Sequence, residues 1–208
     1  MLTKEALQRA VAAISQKMDE NKELLVALDQ QNGDGDLGIY MSAGFAAVKE
    51  SLSTAEEADL GRLLLKCASV FNEAAPSSLG TILSFGYMGM ARALRGKAEA
   101  SLPDVTAALE AGVNNIMEKA KSKPGEKTVL DALCPAVEAL KQAAGQSAAE
   151  AFALAAKAAA EGSEATKAMV PKHGRAAYYG EKGLGLLDGG SVAGKLIFEG
   201  IAQACEGK

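Results

Sequence analysis

Apolar residues recur every three or four positions along almost the whole chain, and no stretch alternates in period two between hairpin turns. That period places apolar side chains on one stripe of a helix, whereas a half-buried strand needs a period of two. Composition points the same way. Alanine, the strongest helix former, is about one residue in five, and β-branched residues are sparse. The chain reads as all-α. Its length of 208 residues suits one domain, residues 1–208, with a core of its own.

Several function classes drop out on charge and hydropathy. Hydrophobic residues make up 49% and the formal net charge is −4, a balance unlike that of disordered chains. An acidic chain has no overall basic field to draw in nucleic acid. No apolar run approaches the roughly 20 residues that a membrane helix needs. The segment from Met1 to Asp19 carries Lys4, Glu5, Arg9, Lys17 and Asp19 among its apolar residues, unlike a signal peptide. Cys67, Cys134 and Cys205 are far apart and odd in number, which fits a reducing cytoplasm and no disulfide framework.

Breaks in the pattern define eight helices. The first is expected over 3–28 and the second over 37–52. Thr54 and Glu57, spaced as a capping box, would open a third that includes Leu60, Leu64, Cys67 and Phe71. A fourth spans 78–94, and a fifth is opened by Ser101 and Pro103 and runs to Ala120. The sixth is expected over 126–144. Ser147 with Glu150 opens a seventh that runs to Ala160 and resumes after Gly162, and the eighth starts at Ser191. Short links force neighbouring helices to reverse direction, so an antiparallel up-and-down bundle follows. Directions then alternate, and the loops 29–36, 74–77, 121–125 and 171–190 all enter helices at one end. These loops are the segments richest in Gly, Asp, Ser and cationic residues. Four helix N-termini at one end present free N–H groups and positive dipole ends, a natural phosphate site.

The loop LDQQNGDGDLG, Leu28 to Gly38, is the sharpest of these signals. Asp29, Asp34 and Asp36 fall within eight residues, with Gly33 and Gly35 between them. Carboxylates this close repel unless a cation neutralises them, and glycine lets the backbone fold tightly enough to converge them. Oxygen ligands suit Mg²⁺ or Ca²⁺. An EF-hand frame fails, because Leu37 stands at its glycine position and Ala43 at its glutamate position. The same string also reads as a solvated acidic turn with Asp36 capping the next helix.

APSSLGT, Ala75 to Thr81, offers Ser77 and Ser78 either as ordinary caps or as phosphate ligands. KPGEKT, Lys123 to Thr128, is no P-loop, since Glu126 stands where that motif requires glycine and no strand precedes it. A solvated surface role is expected for Lys121, Lys123 and Lys127. The segment Pro171 to Ser191 is too long and glycine-rich for a plain linker. Its Arg175 is suited to charge on a transferring phosphoryl group, and Asp188, Gly189 and Gly190 to a nucleotide. His173, the only histidine, is expected to be solvated.

Taken in order and spacing, LDQQNGDGDLG, PSSLGT, KPGEKTVLDAL and HGRAAYYGEKGLGLLDGGS resemble the nucleotide-binding L domain of dihydroxyacetone kinases. The resemblance covers nearly the whole chain and is strongest to the free-standing L subunit of the phosphotransferase-dependent enzymes. It implies an eight-helix antiparallel closed barrel with nucleotide at one end. It implies that Asp29, Asp34 and Asp36 hold two Mg²⁺ ions on ADP or ATP. Leu37, Gly38, Ile39, Tyr40, Ser77, Ser78, Ala120, Val129, Arg175, Asp188, Gly189 and Gly190 fall where the family contacts nucleotide. The implied partners are a ketose-binding K subunit, which receives the phosphoryl group on dihydroxyacetone, and a phosphohistidine donor protein of the phosphotransferase system, which recharges bound ADP.

This chain departs from well-known L subunits after Asp36, where Leu37, Ile39, Tyr40, Ser42 and Ala43 replace a polar series that often includes His and Asn. An ATP-dependent kinase subunit for another small ketose, such as a tetrulose, is the alternative enzyme. A non-catalytic nucleotide-binding regulatory module is the alternative outside enzymes.

Overall fold

The computed structural model describes residues 1–207. Among them are nine α-helices: α1 (Lys4–Glu20), α2 (Lys22–Asp29), α3 (Leu37–Ser53), α4 (Leu60–Ala74), α5 (Ser78–Ala93), α6 (Leu102–Ala120), α7 (Leu130–Gln142), α8 (Ala148–Ala165) and α9 (Gly189–Glu206). The described residues contain no strand beyond an isolated bridge between Leu2 and Ala100. Each helix packs on its sequence neighbours, and α9 closes the ring on α1. Cross-helix pairs fix the directions: Gln8 bonds Leu52 O while Ser42 bonds Asp19, and Ser163 meets Ser191. The expected antiparallel closed barrel is the observed fold, with α2 as a short extra helix on its rim.

The helices begin where the sequence supplies caps. Thr3, Asp59, Ser77, Ser101, Ser147 and Asp188 each accept a backbone N–H of the following turn, each stabilising by about 1 kcal/mol. Ser101 with Asp104 and Ser147 with Glu150 form full capping boxes.

Four boundaries differ from expectation, each for a local reason. The first helix is interrupted at Asn21, whose side-chain amide donates to Lys17 O and turns the chain into α2. Thr54 and Glu57 make no box; Thr54 ends α3, and Asp59 caps α4 instead. The expected start at Glu126 gives way to Leu130, because Asp131 draws the N–H groups of Gly125 and Thr128 into a turn. Helix α8 runs unbroken through Gly162. A Cβ there would stand 2.1 Å from Asp131 O, the carbonyl that Pro135 leaves without its helix donor.

Small residues let the helices approach closely. A Cβ on Gly89 would lie 2.4 Å from Ala111 O, and one on Gly200 2.7 Å from Ile14 Cα. The ring encloses an apolar cavity of about 130 Å³, lined by side chains such as Leu7, Phe45, Tyr87, Val113 and Phe198. No helix among the described residues is long and apolar enough to cross a membrane.

Candidate functional site

The N-terminal ends of α3, α5, α7 and α9 gather at one rim, and the loops that enter them build the site. Between α2 and α3 the chain turns so tightly that Asp29 O accepts from Gly33 N at 2.6 Å, and Asp29 Oδ2 accepts from the N–H groups of Gly35, Asp36 and Leu37. Gly33 is indispensable to this turn, since a Cβ would lie 2.2 Å from Asp29 Oδ1. Gly35, at φ 79°, occupies the left-handed region. As a result Asp29, Asp34 and Asp36 each bring a carboxylate oxygen within 4.8 Å of the others.

Two features of the arrangement bear on the two readings of the acidic loop. Asp36 makes no side-chain cap bond to α3, so its carboxylate is not consumed as an N-cap. Desolvation first, then the neighbouring Asp34 and Asp29 charges, push its pKa above the usual carboxylate range. Three converged hard oxygens with mutual repulsion and one solvent-facing side fit a divalent cation.

The 171–188 segment folds over this loop. A 3₁₀ stretch, Arg175–Gly183, carries Arg175, whose Nη2 lies 2.8 Å from Asp34 Oδ2. Between the two loops opens a polar cleft of about 700 Å³, lined by Asn32, Gly33, Arg175, Tyr178, Tyr179 and Lys182, a volume in the range of small-molecule sites. His173 is not simply solvated, because its Nε2 lies 2.6 Å from Glu126 Oε2. That hydrogen bond, with the Lys123 N–H, holds the Glu126 carboxyl below its ordinary range.

The start of α9 joins the acidic loop to the start of α7. A Cβ on Gly189 would meet Leu37 Cδ2 at 2.6 Å, and one on Gly190 would meet Asp188 Oδ2 at 3.1 Å and Val129 N at 3.5 Å. Desolvation, offset by the Ser191 N–H bond and raised further by Asp131, pushes the Asp188 pKa up to about 7. Leu37, Val129, Asp188, Gly189 and Gly190 are therefore brought together beside the triad, whereas Gly38 packs on α2, its Cβ position 2.1 Å from Lys22 O. Ile39 faces outward at 49% exposure, and Tyr40 packs partly on the core. Ser77 caps α5 through Gly80 N, with exposed Ser78 next to it. Ser77, Ser78 and Ala120, the last residue of α6, reach this rim through the alternating directions of α5 and α6.

The expectation for Lys127 fails as well. Lys127 is not a surface lysine: it is 4% exposed, and its ammonium lies within hydrogen-bond distance of four backbone carbonyls. Nothing in the local string separates it from Lys121 and Lys123, which are exposed. Its burial is a tertiary fact.

A closed antiparallel helical barrel with a carboxylate triad and a glycine-rich loop at one rim defines the class of protein. Comparison with known sequences gives the family: the DAK2 domain matches residues 31–203, and the chain belongs to that family. It is 31% identical over 188 residues, covering 90% of both chains, to the "PEP-dependent dihydroxyacetone kinase 1, ADP-binding subunit DhaL" of Listeria innocua serovar 6a. It is 27% identical over 186 residues to the corresponding ADP-binding subunit DhaL of Escherichia coli K12, covering 88% of this chain and 89% of that one. The fold matches the dihydroxyacetone kinase from C. freundii, solved in complex with AMP-PNP and Mg²⁺, with a TM-score of 0.75 at 24% identity. That match covers 94% of this chain and 33% of the longer C. freundii chain.

Proposed function

We propose that the chain is the Mg-nucleotide-binding subunit of a dihydroxyacetone kinase, cytoplasmic, and active only with a ketose-binding K subunit. The observation that carries this reading is the convergence of Asp29, Asp34 and Asp36 beneath Arg175 at the rim where four helices begin. The three carboxylates would hold two Mg²⁺ ions, which supply neutralisation of the phosphate oxygens and of charge developing at the γ-phosphorus. Ser77, Ser78 and the free N–H groups at the start of α5 are suited to phosphate oxygens. Leu37 to Tyr40, Ala120, Val129 and Asp188 to Gly190 would enclose the nucleotide. Arg175 is free to exchange Asp34 for a phosphoryl oxygen, because the ion pair is partly exposed. Phosphoryl transfer asks of the protein chiefly positioning and charge stabilisation, and these groups provide both.

The names of the Listeria and E. coli relatives support a phosphoenolpyruvate-dependent mode, in which ADP stays bound and a phosphohistidine donor protein of the phosphotransferase system recharges it. One observation favours the second reading, free exchange of ATP by a kinase for another small ketose. Leu37 brings an apolar side chain against Gly189 directly after the acidic loop, where a polar one would grip the phosphates.

The test is direct. Chain purified from cells and denatured should release about one equivalent of ADP in the retained mode and little nucleotide in the exchanging mode. In either mode, phosphorylation of dihydroxyacetone should appear only when a K subunit is added and should vanish in Asp34→Asn. Undiminished transfer by that variant would overturn the metal assignment.

A further inference from the structure

The loop that carries Arg175 leaves the barrel at the end of α8 and returns at the start of α9, and its two stems meet around a single side chain. Lys127 Nζ lies 2.8 Å from Thr166 O and 3.3 Å from Met169 O on the outgoing stem. It lies 2.8 Å from Gly183 O and 2.6 Å from Leu186 O on the returning stem. Four carbonyls around one nitrogen suit an ammonium, which only donates, and would repel the lone pair of a neutral amine. The same neck is tied by Gly185 N to Lys167 O at 2.8 Å and by Asp188 N to Thr166 Oγ1 at 3.1 Å. Thr166 is fully buried.

The backbone also marks the position. Lys127 sits in the left-handed region at φ 60°, a conformation that a glycine adopts at less cost. The hydrogen bonds of its ammonium, three N–H donors shared among the four carbonyls, offset that strain. Its neighbour Glu126 holds the outgoing half of the loop through Lys172 N and His173. Beyond those ties the loop reaches Asp34 through Arg175.

We propose that Lys127 is a positioning residue for phosphoryl transfer: by clasping both stems of segment 166–186, its ammonium sets Arg175 above the carboxylate triad. This rests on the nucleotide reading of the rim. Lys127 itself, sealed beneath the neck, touches no reacting group. Its charge is supported by Asp188, which opposes the lowering of the Lys127 pKa by desolvation.

The experiment combines hydrogen exchange on the ligand-free protein with Mg–ADP affinity in Lys127→Met, Arg175→Ala and the double variant. Lys127→Met should speed exchange across residues 166–187 while leaving α4 and α5 unchanged, and should weaken Mg–ADP binding about tenfold. In the Arg175→Ala background the same change should weaken it less than twofold, because the group being positioned is gone. Should Lys127→Met fail to fold, Lys127→Arg is read the same way, with a loss of about threefold. Its planar fork keeps the charge but does not fit four carbonyls grouped about one point. Equal losses in both backgrounds, or unchanged exchange at the neck, would overturn the proposal. An Arg175→Ala variant with wild-type affinity would instead sink the nucleotide reading. A weakened Arg175→Ala beside an unaffected Lys127 variant would sink this inference alone.

Discussion

Arg175 Nη2 stands 2.8 Å from Asp34 Oδ2, so the guanidinium occupies one corner of the carboxylate triad. A divalent cation drawn to Asp29, Asp34 and Asp36 competes with Arg175 for Asp34. An ion pair this exposed is worth about 0.2–1 kcal/mol, equivalent to roughly a 1.4- to fivefold effect on an affinity. Arg175→Gln should therefore bind Mn²⁺ alone about 1.4- to fivefold more tightly than the parent in an electron paramagnetic resonance titration. Its Mg–ADP affinity should fall, since the phosphate loses a cationic partner. A parallel fall in both affinities would show that metal and guanidinium do not share Asp34.

Gly33→Ala tests the turn itself. The added methyl would stand 2.2 Å from Asp29 Oδ1 and 2.8 Å from Asp29 O, so the carboxylate must rotate or the turn must open. The fold should survive, because the loop lies outside the helical ring. Mg–ADP affinity, followed by calorimetry, should drop by tenfold or more, about 1.4 kcal/mol. Unchanged affinity would mean that the Asp29 orientation is immaterial to binding.

The acidic triad, the helix periods and the parity of their directions were legible because each is local or follows from local facts. Carboxylates separated by glycine converge over a few residues, and short links reverse helices wherever they occur. The helix starts at Leu60 and Leu130 were not legible. There each carboxylate takes its own donors: Glu57 holds the N–H groups of Ala58 and Asp59, Asp59 those of Arg62 and the distant Gly96, and Asp131 those of Gly125 and Thr128, a division that the local strings do not specify. Lys127 was misread for a related reason: its partners lie 39 to 59 residues further along the chain. The Glu126–His173 pair bridges 47 residues and was equally invisible in either local string.

Close helix contact predicts a stability effect remote from the rim. A Cβ on Gly89 would lie 2.4 Å from Ala111 O and 2.7 Å from Gly112 Cα, forcing α5 and α6 apart. Gly89→Ala should lower stability in urea by about 1–3 kcal/mol, the range for overpacked cores. Mg–ADP affinity should stay within twofold of the parent. Equal stability would mean that the α5–α6 contact yields without cost.

The box at the start of α6 predicts a dependence on acid. Asp104 accepts from Lys97 Nζ at 2.6 Å, from Ser101 N at 2.9 Å and from Ser101 Oγ at 2.7 Å. The Lys97 hydrogen bond first, then those from Ser101, hold its carboxyl well below the usual range. A carboxyl depressed in the folded state binds its proton more readily when unfolded. Its contribution is therefore complete above the unfolded pKa of about 3.9 and is lost as pH falls from there toward the folded value. Asp104→Asn lacks that titration. Thermal midpoints of parent and variant should be furthest apart above pH 5, with the parent higher, and should converge between pH 4 and pH 2. A constant gap across that window would show that Asp104 stabilises α6 by shape alone and not through its charge.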